Sequence, residues 1–129
     1  MAIGGDAVRE EIEALHRFFV AWFSGACDNA TDVLERELLR RLDRNFMLIQ
    51  PGGGVLSRES LSGALARAHG ANPDFRIAVR NVHVRFERGQ YLLVTYEEWQ
   101  RNARASTPPD NGRLSSVLFE FADGFNWLH

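Results

Sequence analysis

The chain contains no lysine: all 15 of its basic residues are arginine. Two kinds of chemistry that depend on a lysine side chain are therefore excluded, namely Schiff-base catalysis and phosphate binding by the lysine of a Walker loop. The 17 acidic residues outnumber the basic ones, and the formal net charge is −2. Because domains that bind nucleic acid are usually basic, we expect no nucleic-acid partner.

Cysteine occurs once, as Cys27. One cysteine can form neither an internal disulfide nor a zinc site built on several thiolates, and a free thiol is typical of a reducing compartment. The opening residues Met-Ala-Ile-Gly-Gly-Asp lack the basic and apolar regions of a secretory signal. No apolar run approaches the roughly 20 residues of a membrane-spanning helix. We therefore expect a cytoplasmic protein without membrane contacts.

Motifs of metal and nucleophilic catalysis are missing as well. The sequence has no His-x-His, no His-Glu-x-x-His and no Gly-x-Ser-x-Gly, so it predicts no metal site, no cofactor and no serine nucleophile. The run Gly52-Gly53-Gly54 is followed by Val55-Leu56 rather than by a helix. It therefore predicts a tight hairpin turn in which glycine supplies positive φ angles, and not a phosphate loop.

The first half of the sequence has helical periodicity. A helix is predicted over 6–24, where apolar residues recur every three or four positions, with Asp6 as its N-cap and Gly25 as its end. A later helix is predicted from its N-cap Ser57 through His69.

A further helix is predicted between these two, over about 32–44. Asp32 and Glu35 are spaced as in a capping box, although serine or threonine is more usual at the first position. Its leucines form an apolar stripe, and we expect its arginines to form a solvent-exposed face: Arg36, Arg40, Arg41 and Arg44.

The remaining segments alternate as strands do. The predicted strands are 46–50, a short return strand at 55–56, 75–87, 90–101, 114–121 and 125–129, with a turn-rich loop over 105–112. The apolar parity shifts by one near Arg80-Asn81, which predicts a β-bulge there. Helices followed by hairpin-linked strands, without repeat or linker, predict one α+β domain over residues 1–129 with its helices on one face of an antiparallel sheet.

Three stretches, together with this element order, resemble the nuclear-transport-factor-2-like superfamily, the cystatin-like fold of SnoaL-like cyclases and ketosteroid isomerase. They are Leu15–Gly25, Gly54–Leu61 and Phe119–Trp127. The resemblance implies a cone-shaped, strongly curved antiparallel sheet, packed against three N-terminal helices and wrapped around a pocket. It also implies a homodimer, as in many members, and a last strand that extends beyond His129.

The resemblance does not extend to ketosteroid isomerase chemistry. The position of that enzyme's acidic base holds Gln50, and the position of its tyrosine, one residue after Arg17, holds Phe18. An amide cannot take up a proton at neutral pH, and phenylalanine has no hydrogen-bond donor. We therefore expect a different mechanism, or none.

The strand 90–101 offers the polar candidates for a pocket. By alternation, one face carries Leu92, Val94, Tyr96, Glu98 and Gln100, and the other carries Tyr91, Leu93, Thr95, Glu97 and Trp99. Alternation alone leaves open which face is concave, and the resemblance favours the first.

Each candidate residue has two interpretations. Partly buried Glu98 is either a general acid or base with a raised pKa, or a sheet carboxylate paired with an arginine. His16 is either a base or a packed side chain with one hydrogen bond. Gln50 binds either a ligand or a backbone group at the strand end, and Phe18 and Trp22 either wall the pocket or fill the core.

Three functions remain open. We favour a domain that binds a small apolar ligand through Gln50, Tyr96 and Glu98, which predicts a cavity of roughly 300 Å³ or more. The second is a SnoaL-like isomerase, cyclase or dehydratase that uses Glu98 or His16. The third is a non-enzymatic homo-oligomerisation module whose interface is the outer sheet face around Trp99.

Overall fold

The computed structural model describes residues 3–104 and 106–129. Met1 and Ala2 of the opening stretch and Ala105 of the predicted loop lie outside the described residues. The elements in chain order are α1 (Gly5–Ser24), α2 (Thr31–Leu34), a π-helical segment (Glu35–Leu39), β1 (Met47–Ile49), β2 (Val55–Ser57), α3 (Arg58–Ala66), β3 (Arg76–Arg88), β4 (Tyr91–Arg101), β5 (Asn111–Phe121) and β6 (Phe125–Trp127). This is the predicted α+β architecture, with three helices and a curved antiparallel sheet.

Helix α1 ends as predicted but begins differently. Gly25 adopts a left-handed conformation with φ 80°, which glycine tolerates without strain. At the other end Gly4 occupies the N-cap position, and no side chain caps the helix. The prediction of Asp6 as the N-cap was therefore wrong: Asp6 lies in the first turn, where its negative charge still interacts favourably with the helix dipole.

Within the described residues, no helix is both long enough and apolar enough to cross a membrane.

The second predicted helix is shorter and less regular than expected. Helix α2 begins after Ala30 without a side-chain cap, so the predicted capping box is not formed. The π-helical segment that follows ends at Leu39, well before residue 44. Arg41 was also predicted to be exposed, but it is half-buried because its Nη1 lies 2.7 Å from Glu11 Oε2 on α1.

The glycine run forms the predicted hairpin turn. Ile49 on β1 pairs with Val55 on β2, and Gly53 has φ 90°. Ser57 caps α3 as predicted, since its Oγ accepts a hydrogen bond from the Ser60 amide at 3.1 Å. The helix then ends at Ala66, three residues before the predicted end.

The main sheet has the antiparallel order β3-β4-β5-β6. The predicted bulge is present: the β3–β4 register shifts between Arg80 and His83, and Asn81 has φ 54°. On β4 the residues Leu92, Val94, Tyr96 and Gln100 are buried, whereas Tyr91, Leu93 and Trp99 are exposed. The face that carries Tyr96 is therefore the concave one.

Strand β6 is joined to the helical half of the molecule through Trp127. Its indole Nε1 donates to Glu11 Oε2 at 2.8 Å, and its backbone amide donates to the Arg41 carbonyl at 2.8 Å. Glu11 thus accepts a hydrogen bond from the indole and forms an ion pair with the Arg41 guanidinium, and these contacts hold the end of the sheet near α1.

Candidate functional site

A cavity of about 780 Å³ lies on the concave side of the sheet. Helix α1, the π-helical segment, α3 and the β1–β2 hairpin cover it, while β3, β4 and β5 form its floor. Most of its wall is apolar, with Leu15, Phe19, Leu38, Phe46, Leu61 and Ile77 among the lining residues. The lining also includes Met47, Ile49 and Leu114, which are exposed, so the cavity reaches the surface beside the hairpin.

A buried histidine–glutamate pair lies in the wall of this cavity. His16 Nδ1 lies 2.7 Å from the Ile12 carbonyl, and a carbonyl can only accept, so Nδ1 carries a proton. His16 Nε2 lies 2.7 Å from Glu98 Oε1, and this hydrogen bond requires a second proton between the two side chains. This hydrogen bond, in which the two side chains share one proton, joins helix α1 to strand β4.

The environment of Glu98 favours its ionised form. Burial raises the pKa of this carboxyl, but the hydrogen bond and charge of His16, the charge of Arg113 and the hydrogen bond from Gln100 together outweigh burial and hold the pKa below its ordinary value. The prediction of a raised pKa was wrong, because sequence alone did not reveal the His16 contact. The hydrogen-bond partner is also a histidine rather than an arginine. The two side chains therefore share one proton across a short hydrogen bond, and the pair as a whole carries no net charge.

Gln100 extends this polar group. Its Nε2 donates to Glu98 Oε2 at 3.0 Å, which fixes the amide orientation because a carboxylate oxygen only accepts. Its Oε1 then points away from Glu98, buried and without a hydrogen-bond donor among the described residues. Gln100 also lines the cavity. A buried carbonyl oxygen without a donor is unfavourable.

Tyr96 supplies a neutral hydroxyl beside the pair. The side chain is buried, and its hydroxyl lies 3.5 Å from His16 Nε2. Burial raises the pKa of the phenol, the negative charge of Glu98 raises it further, and a hydrogen bond with Ser115 opposes the shift only in part. Tyr96 therefore stays protonated at neutral pH.

The structure separates the predicted site residues into two groups. Gln50, Tyr96, Glu98 and His16 all line the cavity, Gln50 at the exposed hairpin and the others in the interior. Phe18 and Trp22 do not line it: both are buried in the core, and the Trp22 indole donates to the Leu65 carbonyl on α3. Of their two interpretations, the structure therefore gives packing in the core, because one face of α1 packs into the core while an adjacent face lines the cavity.

Sequence reasoning missed Arg113 as a cavity residue. Strand β5 begins at Asn111, whereas the predicted strand begins at residue 114 and does not include Arg113. The alternation of Val117 and Ser115 on the inner face, continued backwards, places Arg113 on the same face. Its Cα pairs with that of Glu98 across the sheet.

The outer face of the sheet carries exposed apolar side chains. Phe86, Leu93 and Leu118 are opposite one another on three neighbouring strands; Phe86 is 53% exposed and Leu93 is exposed, whereas Leu118 is half-buried. Trp99 lies against Gly112, where an added Cβ would be only 2.8 Å from the indole ring.

The described residues contain no group of three or more histidine, cysteine or acidic side chains arranged to hold a metal ion.

Several solved structures are similar to this chain. A nuclear-transport-factor-2-like protein of unknown function from Pseudomonas aeruginosa is 25% identical with TM-score 0.82, over 95% of this chain and 94% of that one. A cystatin-like-fold protein from Caulobacter vibrioides is 16% identical with TM-score 0.66, over 98% and 85%. A candidate dehydratase of the nuclear-transport-factor-2-like family from Streptomyces avermitilis is 17% identical with TM-score 0.59, over 95% and 89%. No protein-family model and no curated protein matches the chain.

Proposed function

By its fold this chain is a member of the nuclear-transport-factor-2-like superfamily, and we propose that it is a single domain that binds a small, mostly apolar ligand inside the curved sheet. The observation that carries the proposal is the cavity of about 780 Å³, with apolar walls and a few convergent polar groups. Its volume lies in the range of small-molecule sites, roughly 300–1,000 Å³. With Cys27 as a free thiol, we also propose a cytoplasmic location.

The polar contacts of the ligand follow from the lining. Tyr96 offers a hydroxyl donor and Gln100 an unpartnered acceptor in the interior, while Gln50 offers an amide at the exposed end. An apolar ligand with one or two polar groups would satisfy these contacts and bury the rest of its surface against leucine and phenylalanine side chains.

Blocking the cavity tests this proposal. Ile77 lines the cavity, whereas its neighbour Ala78 lies on the opposite face of β3 and is exposed. Because tryptophan at position 77 would occupy the ligand's space, we expect Ile77→Trp to weaken binding by about tenfold or more, equivalent to about 1.4 kcal/mol. The measurement is fluorescence titration with N-phenyl-1-naphthylamine, a neutral apolar probe.

The matched control is Ala78→Trp, which adds the same side chain outside the cavity and is expected to leave the affinity unchanged. Equal effects of the two substitutions, or no saturable binding by the wild-type chain, would contradict the proposed function. Circular dichroism of each variant verifies that it is folded.

A second candidate function is acid–base catalysis on the bound ligand, of the isomerase, cyclase or dehydratase kind. It is favoured by the buried His16–Glu98 contact at 2.7 Å. Both nitrogens of His16 are engaged, whereas each carboxylate oxygen of Glu98 retains acceptor capacity. Glu98 is therefore the member that would accept a proton from a ligand, with His16 and Gln100 positioning it.

We also propose that the protein is a homodimer whose interface is the outer sheet face. The apolar row of Phe86, Leu93 and Leu118 supports this proposal, because Phe86 and Leu93 are exposed and contiguous apolar side chains at the surface are typical of an interaction surface. The same observation supports the alternative of a non-enzymatic homo-oligomerisation module, which differs from the favoured function in needing no ligand.

The interface is tested by placing a charge in that row. We expect wild-type protein at micromolar concentration to sediment with twice the 14.6 kDa mass of one chain. Leu93→Glu would bury a carboxylate in the interface and is expected to yield monomers. Val55→Glu, at an exposed apolar position of the hairpin, is the control and should leave the mass unchanged. A monomeric wild-type protein would contradict the proposal.

A further inference from the structure

Arg113 is the one arginine among the described residues that line the cavity, and it forms no ion pair with a described carboxylate. The ionisable side chains of the lining are His16, Glu98, Tyr96, Arg113 and His129. His16 and Glu98 share one proton, so the pair as a whole carries no net charge.

The position of Arg113 is nevertheless well defined. It lies half-buried on the inner face of β5, and its Nη2 donates to Ser106 Oγ at 2.8 Å. This hydrogen bond occupies one of the five guanidinium donors. Glu98 interacts with Arg113 through space only, and its two oxygens already accept from His16 and Gln100.

A half-buried guanidinium with free donors favours an anionic partner in the cavity. A carboxylate is the group that matches its planar donors, since two parallel hydrogen bonds can form at once. One guanidinium pairs with one carboxylate, which favours a monoanion over a phosphate dianion. We therefore propose that the ligand of this cavity is an apolar monocarboxylate whose carboxylate binds Arg113; this inference rests on the proposed function.

Competition between two probes of equal chain length tests the inference. Decanoate and decan-1-ol share an alkyl chain and differ in charge, and each is titrated against bound N-phenyl-1-naphthylamine at neutral pH. We expect decanoate to bind the wild-type chain about 10- to 100-fold more tightly than decan-1-ol, as for one charge-assisted contact.

Variants of Arg113 then test whether this side chain causes the preference for decanoate over decan-1-ol. Arg113→Gln is expected to remove the decanoate preference and leave decan-1-ol binding unchanged. Arg113→Lys keeps the charge but not the paired donors, so an intermediate preference is expected. Arg44→Gln removes an exposed arginine outside the cavity lining and should change neither affinity.

The outcomes separate this inference from the function on which it rests. If both compounds displace the probe equally from the wild-type chain, the carboxylate inference is overturned and the apolar pocket stands. If decanoate is preferred and Arg113→Gln keeps that preference, Arg113 is not the anion site. If neither the probe nor either compound binds, both proposals fall. The wild-type comparison decides even where Arg113→Gln does not fold.

Discussion

Replacing Glu98 with glutamine is expected to slow ligand proton exchange by about 10²- to 10⁴-fold, the usual contribution of a positioned general base. The amide cannot take up a proton at neutral pH. It can still donate to a neutral His16 Nε2 and accept from Gln100, so both hydrogen bonds of Glu98 are retained. We therefore expect the free energy of unfolding to change by less than about 1 kcal/mol.

The assay for this prediction does not require the natural substrate. Exchange of deuterium into positions next to the carbonyl of apolar ketones is followed by NMR with the wild-type chain and with Glu98→Gln. The matched control is Glu97→Gln, because Glu97 is the adjacent residue on the same strand but points to the outer face. Exchange that persists in Glu98→Gln would exclude Glu98 as the base.

The pH dependence of the exchange rate provides a second test of Glu98 as the base. The pKa of Glu98 in the folded chain lies below its ordinary value of 4.5, because its hydrogen bonds and neighbouring positive charges outweigh burial. The carboxylate is thus in its active form above that lowered pKa. The exchange rate due to Glu98 should be lost only as the pH falls through the lowered pKa, and a loss between pH 5 and 7 would identify another group.

Trp22→Ala is expected to lower the free energy of unfolding by about 3–5 kcal/mol. Trp22 is 1% exposed, and its indole packs edge-on against His69 with ring centroids 4.7 Å apart. The substitution would leave a large void between α1 and α3, and the Leu65 carbonyl would lose the indole donor at 2.7 Å. Equilibrium denaturation in urea measures the change.

Two further variants show how much of this loss of stability is due to packing and how much to the hydrogen bond. Trp22→Phe keeps most of the packing and removes the hydrogen bond, so its cost should be nearer about 1–2 kcal/mol. Leu114→Ala truncates a side chain that is 78% exposed and should cost less than about 0.5 kcal/mol. If Trp22→Ala cost no more than Leu114→Ala, Trp22 would not belong to the core.

Local patterns were sufficient to predict most of the fold. The parity shift near Asn81 predicted the bulge because each residue of a strand faces opposite to its neighbour, so one extra residue is visible in the sequence. Ser57 was recognisable as a cap because its hydroxyl and the following residues form a local motif. In both cases the determining interactions join residues near one another in the chain.

Features that depend on distant residues could not be predicted in this way. The exposure of Arg41 was misjudged because its partner, Glu11, lies on another helix. The direction of the Glu98 pKa was misjudged because His16 is 82 residues away in the sequence. The apolar periodicity of α1 also gave no means to distinguish Trp22, in the core, from Phe19, at the cavity.

The attachment of Trp127 has a consequence for the order in which the molecule assembles. Its indole bonds to Glu11 across 116 residues of sequence, and the same side chain lines the cavity. Contacts between such distant residues are slow to form because a long loop must close first. During synthesis, α1 leaves the ribosome long before its partner strand exists. We therefore expect the apolar interior of a nascent chain to stay open on one side until residues 125–127 are released, so that the pocket is completed in a late step of folding.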